Sequence, residues 1–216
     1  MSIPVERREK WLPEEMDFMT RLIRPATTGD AKACSEIYAP IVMNTHTSFE
    51  MEPPDEAEMQ ERIKAKLPHF PWLVYCVDET VIGYAYASSH KPRQAYQWAA
   101  DTSIYVSPAV QRHGVGRALY RALFGTLREQ GYFRIFAGVA LPNEASMGLH
   151  LAMGFEQIGI YKAAGYKQGK WHDVAWFQLS LQELMLAPTP PIPFAEIRAS
   201  EPFNRILAES IPGDRP

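Results

Sequence analysis

The stretch Val106-Ser-Pro-Ala-Val-Gln-Arg-His-Gly-Val-Gly-Arg117 joins an apolar, strand-like run to an amphipathic helix through a loop with two glycines. Unpaired backbone N–H groups at the start of a helix carry a partial positive charge, and glycine lets the backbone come close to a ligand. Such a junction suits phosphate oxygens. We therefore interpret this stretch as an anion-binding turn, with a pyrophosphate as its natural ligand.

Other glycine loops fit this stretch less well. The P-loop requires Gly-Lys-Ser/Thr, which the chain lacks here, and the dinucleotide fingerprint requires a third glycine where Leu119 stands. An ordinary strand-to-helix loop that binds nothing stays open as the alternative at this point.

The segments around this junction alternate in type. Apolar periodicity and turn residues predict a short strand, two helices, three meandering strands, and then helices alternating with strands. The chain is therefore expected to adopt an α/β (α+β) fold. In numbers, the predicted strands are 21–27, 72–77, 81–89, 98–107, 134–141, 159–166 and 173–181, and the predicted helices are 28–43, 53–67, 114–129 and 144–153.

Length and composition limit the class of protein. With 216 residues, 46% of them hydrophobic, the chain can bury the core of one domain with extensions. Its formal net charge of −3 and its lack of a basic block argue against a nucleic-acid partner. The sequence shows neither an apolar leader nor a long apolar run, so we expect neither export nor membrane insertion. Its two isolated cysteines indicate a reducing, cytoplasmic setting.

Two motifs in the same order resemble a known superfamily. Gln-Arg-x-Gly-x-Gly before a helix, followed by Asn143, Ser146 and the run LHLAMGF ending at Phe155, resembles the GNAT acetyltransferases. The pieces AYQWAADTSIYVSPAVQRHGVG, ALPNEAS and AAGYKQGKWHDVAWFQL are similar to its phosphinothricin and methionine sulfoximine N-acetyltransferase branch, from about Leu22 to Leu181.

The resemblance implies a fold and a reaction. The expected fold is a mixed, mostly antiparallel seven-stranded sheet flanked by helices on both faces, in a homodimer. The expected reaction moves acetyl from acetyl-CoA to the α-amine of phosphinothricin, methionine sulfoximine or methionine sulfone, without a metal. The coenzyme-binding residues that the resemblance implies are Ile104, Tyr105, Val106, Gln111, Arg112, His113, Gly114, Val115, Gly116, Arg117, Asn143 and Ser146.

Asp101 is the first candidate catalytic residue. Strand alternation places it on one face with Ser103 and Tyr105, where a carboxylate without a partner is costly and a function would explain it. A strand-edge carboxylate paired with an arginine or a backbone N–H is the alternative. The resembled family has glutamate here, so the shorter side chain favours a base that works through a water.

His150 is the second candidate. It stands seven residues after Asn143, where the resemblance implies a histidine that acts as acid or base. A partly buried structural histidine is the alternative. Trp171-His172-Asp173 is interpreted as a hairpin with a local His–Asp hydrogen bond, because no further His or Cys lies at metal-ligand spacing.

The candidate acceptor-binding residues are cationic or aromatic. Lys91, Arg93 and Tyr96 form a loop in which arginine can clamp an oxyanion, and a solvated loop is the alternative. Phe49 and Tyr105 resemble positions that wall the pocket. Residues 21–184 are predicted to form the catalytic domain, 1–20 an N-terminal extension, and 185–216 a proline-rich extension that is extended or loosely docked.

Two rival functions stay open. One is acetylation of a different amine, such as a polyamine or a protein N-terminus, by the same fold. The other is a coenzyme A-binding module that has lost catalysis, for which the aspartate at position 101 is the hint.

Overall fold

The computed structural model describes residues 19–211, so the predicted N-terminal extension lies almost wholly outside the described residues. The strands are β1 (Arg21–Pro25), β2 (Trp72–Val77), β3 (Thr80–Ser89), β4 (Ala99–Val106), β5 (Arg134–Ala140), β6 (Glu156–Lys167) and β7 (Lys170–Ser180). The α-helices are α1 (Ala31–Asn44), α2 (Glu56–Lys66), α3 (Val115–Gln130), α4 (Glu144–Ala152), α5 (Phe194–Ile197) and α6 (Glu201–Ser210).

The strands form one seven-stranded sheet in the order β1-β2-β3-β4-β5-β7-β6. Neighbouring strands are antiparallel except β4 and β5, which are parallel because α3 crosses over between them. This confirms the predicted mixed, mostly antiparallel sheet. It also places the single parallel pair next to the predicted anion-binding turn.

Helices cover both faces of the sheet. On one face α3 packs Leu119 and Leu123, both fully buried, against the central strands. On the other face α1 and α2 bury Cys34 and Ile63 against Tyr84 of β3. Alternate residues of β4 therefore face different helices, which decides where each candidate site residue points.

Two local predictions differ from the structure. The first predicted helix begins later, after a 3-10 turn, because the Asp30 carboxylate accepts the Thr27 amide at 2.7 Å and the Arg24 guanidinium at 2.7 and 2.8 Å. The predicted His–Asp hydrogen bond in the β6–β7 hairpin is wrong. Asp173 instead accepts from Lys162 at 2.8 Å, and both ring nitrogens of His172 lie against backbone carbonyls.

The proline-rich tail packs against the domain, so the expectation of an extended or loosely docked segment is wrong. Phe194 and Phe203 are fully buried, with ring centroids 5.5 Å apart. Ile206 lies against Gly125 of α3, where an added Cβ would come within 2.7 Å of the isoleucine side chain. Glycine therefore gives α6 the room to pack on α3. The prolines interrupt regular structure, but the apolar face of α6 is large enough to hold the tail in place.

Candidate active site

The predicted anion-binding turn leads directly into α3. Gly114 is the N-cap residue with φ of 80°, a left-handed conformation that glycine adopts without strain. The first intrahelical bond runs from the Ala118 amide to the Gly114 carbonyl, so the amides of residues 115–117 have no partner within the helix. Among the residues that the structure describes, no side chain caps this helix, and its first turn contains no acidic residue. The turn thus offers several backbone donors to an anion.

A cavity of about 900 Å³ opens from this turn. Eleven of the twelve predicted coenzyme-binding residues line it, and so does His150. The exception is His113, whose Nδ1–H donates to the Gln111 carbonyl at 2.9 Å. The lining residues predicted from the sequence are Ile104, Tyr105, Val106, Gln111, Arg112, Gly114, Val115, Gly116, Arg117, Asn143 and Ser146.

The cavity continues into a gap in the sheet. Strands β4 and β5 pair only at their starts, where residues 99–101 lie beside residues 134–136. Beyond this point residues 102–106 and 137–140 line the cavity instead. We call this gap the β4–β5 opening. Asp101 is the last residue of β4 that pairs with β5 and so lies at the apex of the opening.

Asn143 has a structural role at the edge of this cavity. Its side-chain oxygen accepts the Ser146 amide at 3.1 Å and caps the N-terminus of α4. This cap orients α4 so that His150 reaches the cavity. The asparagine therefore shapes the site whether or not it also touches a ligand.

His150 is buried, with 3% of its surface exposed, and both ring nitrogens have partners. Nδ1 lies 2.7 Å from the Ser146 carbonyl, which only accepts, so Nδ1 carries the proton. Nε2 then accepts the Tyr120 hydroxyl at 2.8 Å. Burial lowers the pKa of His150, which favours the neutral ring that this arrangement needs.

Asp101 and His150 lie on opposite faces of the sheet. Tyr120 of α3 holds His150 and contacts the Thr102 side chain, so Thr102 points toward α3. Asp101, one residue earlier on the strand, points to the other face. His150 therefore lines the cavity on the α3 side, whereas Asp101 lies beside the apex of the β4–β5 opening, outside the cavity lining.

A partner of Asp101 was missed in the sequence analysis. His90 follows β3, and its Nδ1 lies 2.6 Å from Oδ1 of Asp101. Burial raises the pKa of Asp101, while the hydrogen bond from His90 opposes that shift. The sequence has no local signal for this contact, because it depends on the β3–β4 register, which pairs Ser88 with Asp101 and so brings His90 to the same end of the strand.

The predicted acceptor-binding residues are only partly brought together. Lys91 is close enough to lower the pKa of Asp101 by its charge, and the Tyr96 ring lies 6.0 Å from the His90 ring. Arg93 is exposed in the same loop. Of the predicted acceptor-binding residues, only Tyr105, which was also predicted to contact the coenzyme, lines the large cavity.

The Phe49 side chain lies away from these residues and packs against the β6–β7 hairpin. Its ring rests directly on Gly165, where any side chain would clash with it. The loop that carries Phe49 is held by Lys167, a buried residue that the sequence analysis missed. The Lys167 ammonium donates to the carbonyls of Val42, Ser48 and Glu50 at 2.6, 2.8 and 2.8 Å. Residue type alone gives no signal for such a contact, because the partners are backbone atoms.

The two thiols lie outside the cavity lining. Cys34 and Cys76 are buried and free, as predicted. Burial raises the pKa of Cys34 to about 12 and also raises the pKa of Cys76. Both thiols therefore stay protonated at neutral pH and are poor nucleophiles.

Neither a metal-binding cluster nor a membrane-spanning helix occurs among the described residues. Within residues 19–211, no group of three His, Cys, Asp or Glu side chains is placed to hold a metal ion. In the same part of the chain, no helix combines the length and the apolar character that crossing a membrane requires.

Comparison with known proteins identifies the family. The acetyltransferase (GNAT) domain family matches residues 23–176. The chain is 38% identical over 175 residues to phosphinothricin N-acetyltransferase of Streptomyces viridochromogenes, covering 81% of this chain and 95% of that protein. It is 32% identical over 172 residues to L-methionine sulfoximine/L-methionine sulfone acetyltransferase of Pseudomonas paraeruginosa, covering 79% of this chain and all of that protein, 100%.

A solved structure agrees with these matches. The crystal structure of a GNAT superfamily phosphinothricin acetyltransferase from Sinorhizobium meliloti in complex with AcCoA superimposes with a TM-score of 0.74 and 38% identity, covering 79% of this chain and 94% of that one. The opened parallel strand pair, the uncapped helix N-terminus and these matches lead to one conclusion: the chain belongs to the GNAT acetyltransferase family.

Proposed function

We propose that this protein is an N-acetyltransferase that moves acetyl from acetyl-CoA to the α-amine of phosphinothricin or a related analogue such as methionine sulfoximine or methionine sulfone. The β4–β5 opening carries the proposal, because it has free helix amides at one end and a carboxylate–imidazole pair at its apex. The names of the relatives at 38% and 32% identity support the choice of acceptor.

The proposed coenzyme site follows the cavity. The amides of residues 115–117 are placed to bind a pyrophosphate, and residues 104–106 offer a strand edge to an elongated ligand. Acetyl-CoA, when bound, supplies the acetyl group as a thioester. The carbonyl carbon of that thioester would sit at the apex of the opening, beside Asp101.

The acceptor must lose a proton before it can attack. A free α-amine with a pKa near 8 is only about a tenth deprotonated at neutral pH. Both nitrogens of His150 are occupied and its ring is neutral, which leaves it no free lone pair for the amine. We therefore assign the basic role to the Asp101 side, and assign to His150 the role of fixing the Tyr120 side chain at the cavity wall.

The acceptor-binding roles rest on charge and position. Lys91 and Arg93 would meet the acidic groups of the acceptor, and Tyr96 would close the pocket beside His90. Tyr105 would lie between the two substrates, and its ring contacts the Tyr38 ring with centroids 4.6 Å apart. Phe49 would wall the pocket only from the β6–β7 hairpin, against which its ring packs.

Direct transfer between two bound substrates leads to a prediction for the thiols. We expect Cys76→Ser to keep kcat within about 3-fold of the wild type, because the thiol is buried, protonated and outside the cavity lining. Steady-state kinetics of the purified variant measures this. Loss of turnover at an unchanged melting temperature would point to a covalent acyl-enzyme instead.

Parallel assays with a panel of four amines distinguish the proposed acceptor from its rivals. Release of free thiol from acetyl-CoA is measured with L-phosphinothricin, L-methionine sulfoximine, L-methionine sulfone and spermidine in parallel. We expect release with the three amino-acid analogues. Release with spermidine alone would move the acceptor to another amine, and coenzyme binding without release for any amine would indicate the non-catalytic module.

A homodimer is part of the proposal. β6 is an edge strand that exposes apolar side chains, among them Ile158 at 52%, Tyr161 at 58% and Tyr166 at 57% of their surface. Exposed apolar edges are commonly covered by a partner. We expect light scattering to give twice the chain mass of 24.5 kDa. A monomer at micromolar concentration would contradict this.

Two further proposals concern the setting and the boundaries. The two free, buried thiols fit a reducing, cytoplasmic compartment, which fractionation of the source cells would test. We keep residues 21–184 as the catalytic domain and 185–216 as its extension. Limited proteolysis followed by mass measurement would locate the boundary.

A further inference from the structure

The side chain that faces Asp101 is an imidazole. The β3–β4 register pairs Ser88 with Asp101, and His90 follows at the end of β3. Its Nδ1 atom lies 2.6 Å from Oδ1 of Asp101, the distance of a strong, charge-assisted hydrogen bond. The pair is therefore built by the sheet itself, at the apex of the β4–β5 opening.

The hydrogen bond decides which ring nitrogen holds the proton. An ionised carboxylate only accepts hydrogen bonds, so Nδ1 of His90 must be the donor. In the neutral ring the lone pair then lies on Nε2. No hydrogen-bond partner of Nε2 occurs within residues 19–211. The ring thus has one nitrogen fixed by Asp101 and the other able to take up a proton.

Aromatic neighbours hold the ring in place. His90 stacks on Phe136 with centroids 4.1 Å apart and planes 14° apart. Tyr96 and Trp176 meet it edge-on at 6.0 and 6.4 Å. The His90 side chain is 11% exposed and that of Asp101 is 31% exposed. A ring packed in this way is oriented before any substrate arrives, which is what a catalytic base requires.

We propose that His90, positioned by Asp101, is the group that takes the proton from the acceptor amine. This rests on the proposed function and deepens it, because it names the side chain that removes the proton from the amine. The ammonium passes one proton to Nε2 of His90. The neutral amine nitrogen then bonds to the acetyl carbonyl carbon, the carbon–sulfur bond breaks, and the second amine proton leaves on the coenzyme sulfur as thiol.

In this arrangement Asp101 is a positioning residue. It keeps the lone pair on Nε2 and stabilises the imidazolium that forms, which is the division of labour in Ser-His-Asp triads. His150, on the other face of the sheet, does not compete for the proton because both its nitrogens are bonded.

The first test determines which ring nitrogen of His90 carries the proton when no substrate is present. The full-length protein is labelled with 15N-histidine, and the His90 signals are assigned by their absence in His90→Asn. At mildly alkaline pH we expect a protonated Nδ1 and a bare Nε2. In Asp101→Asn this preference should weaken. A ring protonated at Nε2 with a bare Nδ1 overturns the proposal.

The second test is kinetic. In His90→Asn the new side-chain amide can still donate to Asp101 but cannot take a proton. We therefore expect this variant to lower kcat by about 100-fold or more, with KM for both substrates changed by less than about 3-fold. His90→Ala should lose the same and regain at least about 10-fold with added imidazole. A kcat of His90→Asn within about 3-fold of wild type, at an unchanged melting temperature, overturns the proposal.

A matched control and an independent readout separate the possible failures. His69→Ala removes an exposed imidazole that does not line the cavity, so its kcat should stay at the wild-type value and should not respond to added imidazole. If the wild type acetylates no amino acid of the panel, the proposed function fails. The histidine spectrum needs no acceptor, so it still supports or overturns the His90–Asp101 pair in that case.

Discussion

Asp101→Asn is expected to lower kcat by about 10²- to 10⁴-fold while KM for acetyl-CoA stays nearly unchanged. The amide no longer holds the His90 ring in one tautomer and cannot stabilise the charge that forms on it. The proposed coenzyme contacts lie along the cavity and the α3 amides, which the substitution does not touch. Steady-state kinetics with both substrates varied measures the two effects separately.

Although Asp101→Asn lowers kcat, it should not lower the melting temperature. Burial raises the pKa of Asp101, so the folded protein holds this proton to a higher pH than the unfolded chain does. Stability therefore falls as the pH rises through the window between the unfolded and the folded pKa, and the cost persists at neutral pH. Asp101→Asn removes that cost, and its melting temperature should equal or exceed that of the wild type. Glu129→Gln, which removes an exposed carboxylate, is the control.

A lower melting temperature together with a small kinetic effect would contradict this account. It would mean that Asp101 is a structural carboxylate at the strand edge, which is the alternative left open by its sequence position. Full activity in Glu129→Gln then shows that the loss of one surface charge has no part in the result.

Phe203→Ala is expected to destabilise the protein by about 3–5 kcal/mol. The ring is fully buried between Phe194 and α3, and the tail cannot collapse around the missing volume because Ile206 is already fitted against Gly125. For a chain of this size the loss corresponds to a fall in melting temperature of roughly 6–20 °C. Thermal unfolding followed by circular dichroism measures it.

A residue of the same tail provides the control. Leu186 has 96% of its surface exposed, so Leu186→Ala should melt within about 1 °C of the wild type. If Phe203→Ala also melts there, the tail unfolds separately from the domain and α6 adds nothing to its stability. Hydrogen bonds from Trp98 to Thr189 at 2.7 Å and from Gln130 to Ile192 at 2.8 Å argue that the tail and the domain unfold together.

The parts of the site that are local in sequence were predictable. The α3 turn needs only a loop with glycines before an amphipathic helix, and the order of strands and helices follows from periodicity. Asp101 stood out because a carboxylate inside an apolar strand demands an explanation. These features depend on neighbours within a few residues, which a single sequence displays.

The parts made by distant residues were not predictable. His90 gains its role only when the β3–β4 register sets it against Asp101, and Lys167 gains its role from carbonyls more than a hundred residues away. The proline-rich tail was misjudged for the same reason, because the face that α6 covers is a property of α3. The placement of Asp101 and His150 on opposite faces of the sheet was also not predictable, because it depends on which face α3 covers.

The most direct test of the account is the initial rate of thiol release by the wild-type protein, with acetyl-CoA and L-phosphinothricin varied against each other. Direct transfer between two substrates bound at the β4–β5 opening predicts saturation in both and intersecting double-reciprocal lines. Parallel lines would require an acyl-enzyme that the buried thiols do not support. If thiol release does not depend on the amino acid, the proposed function itself is contradicted.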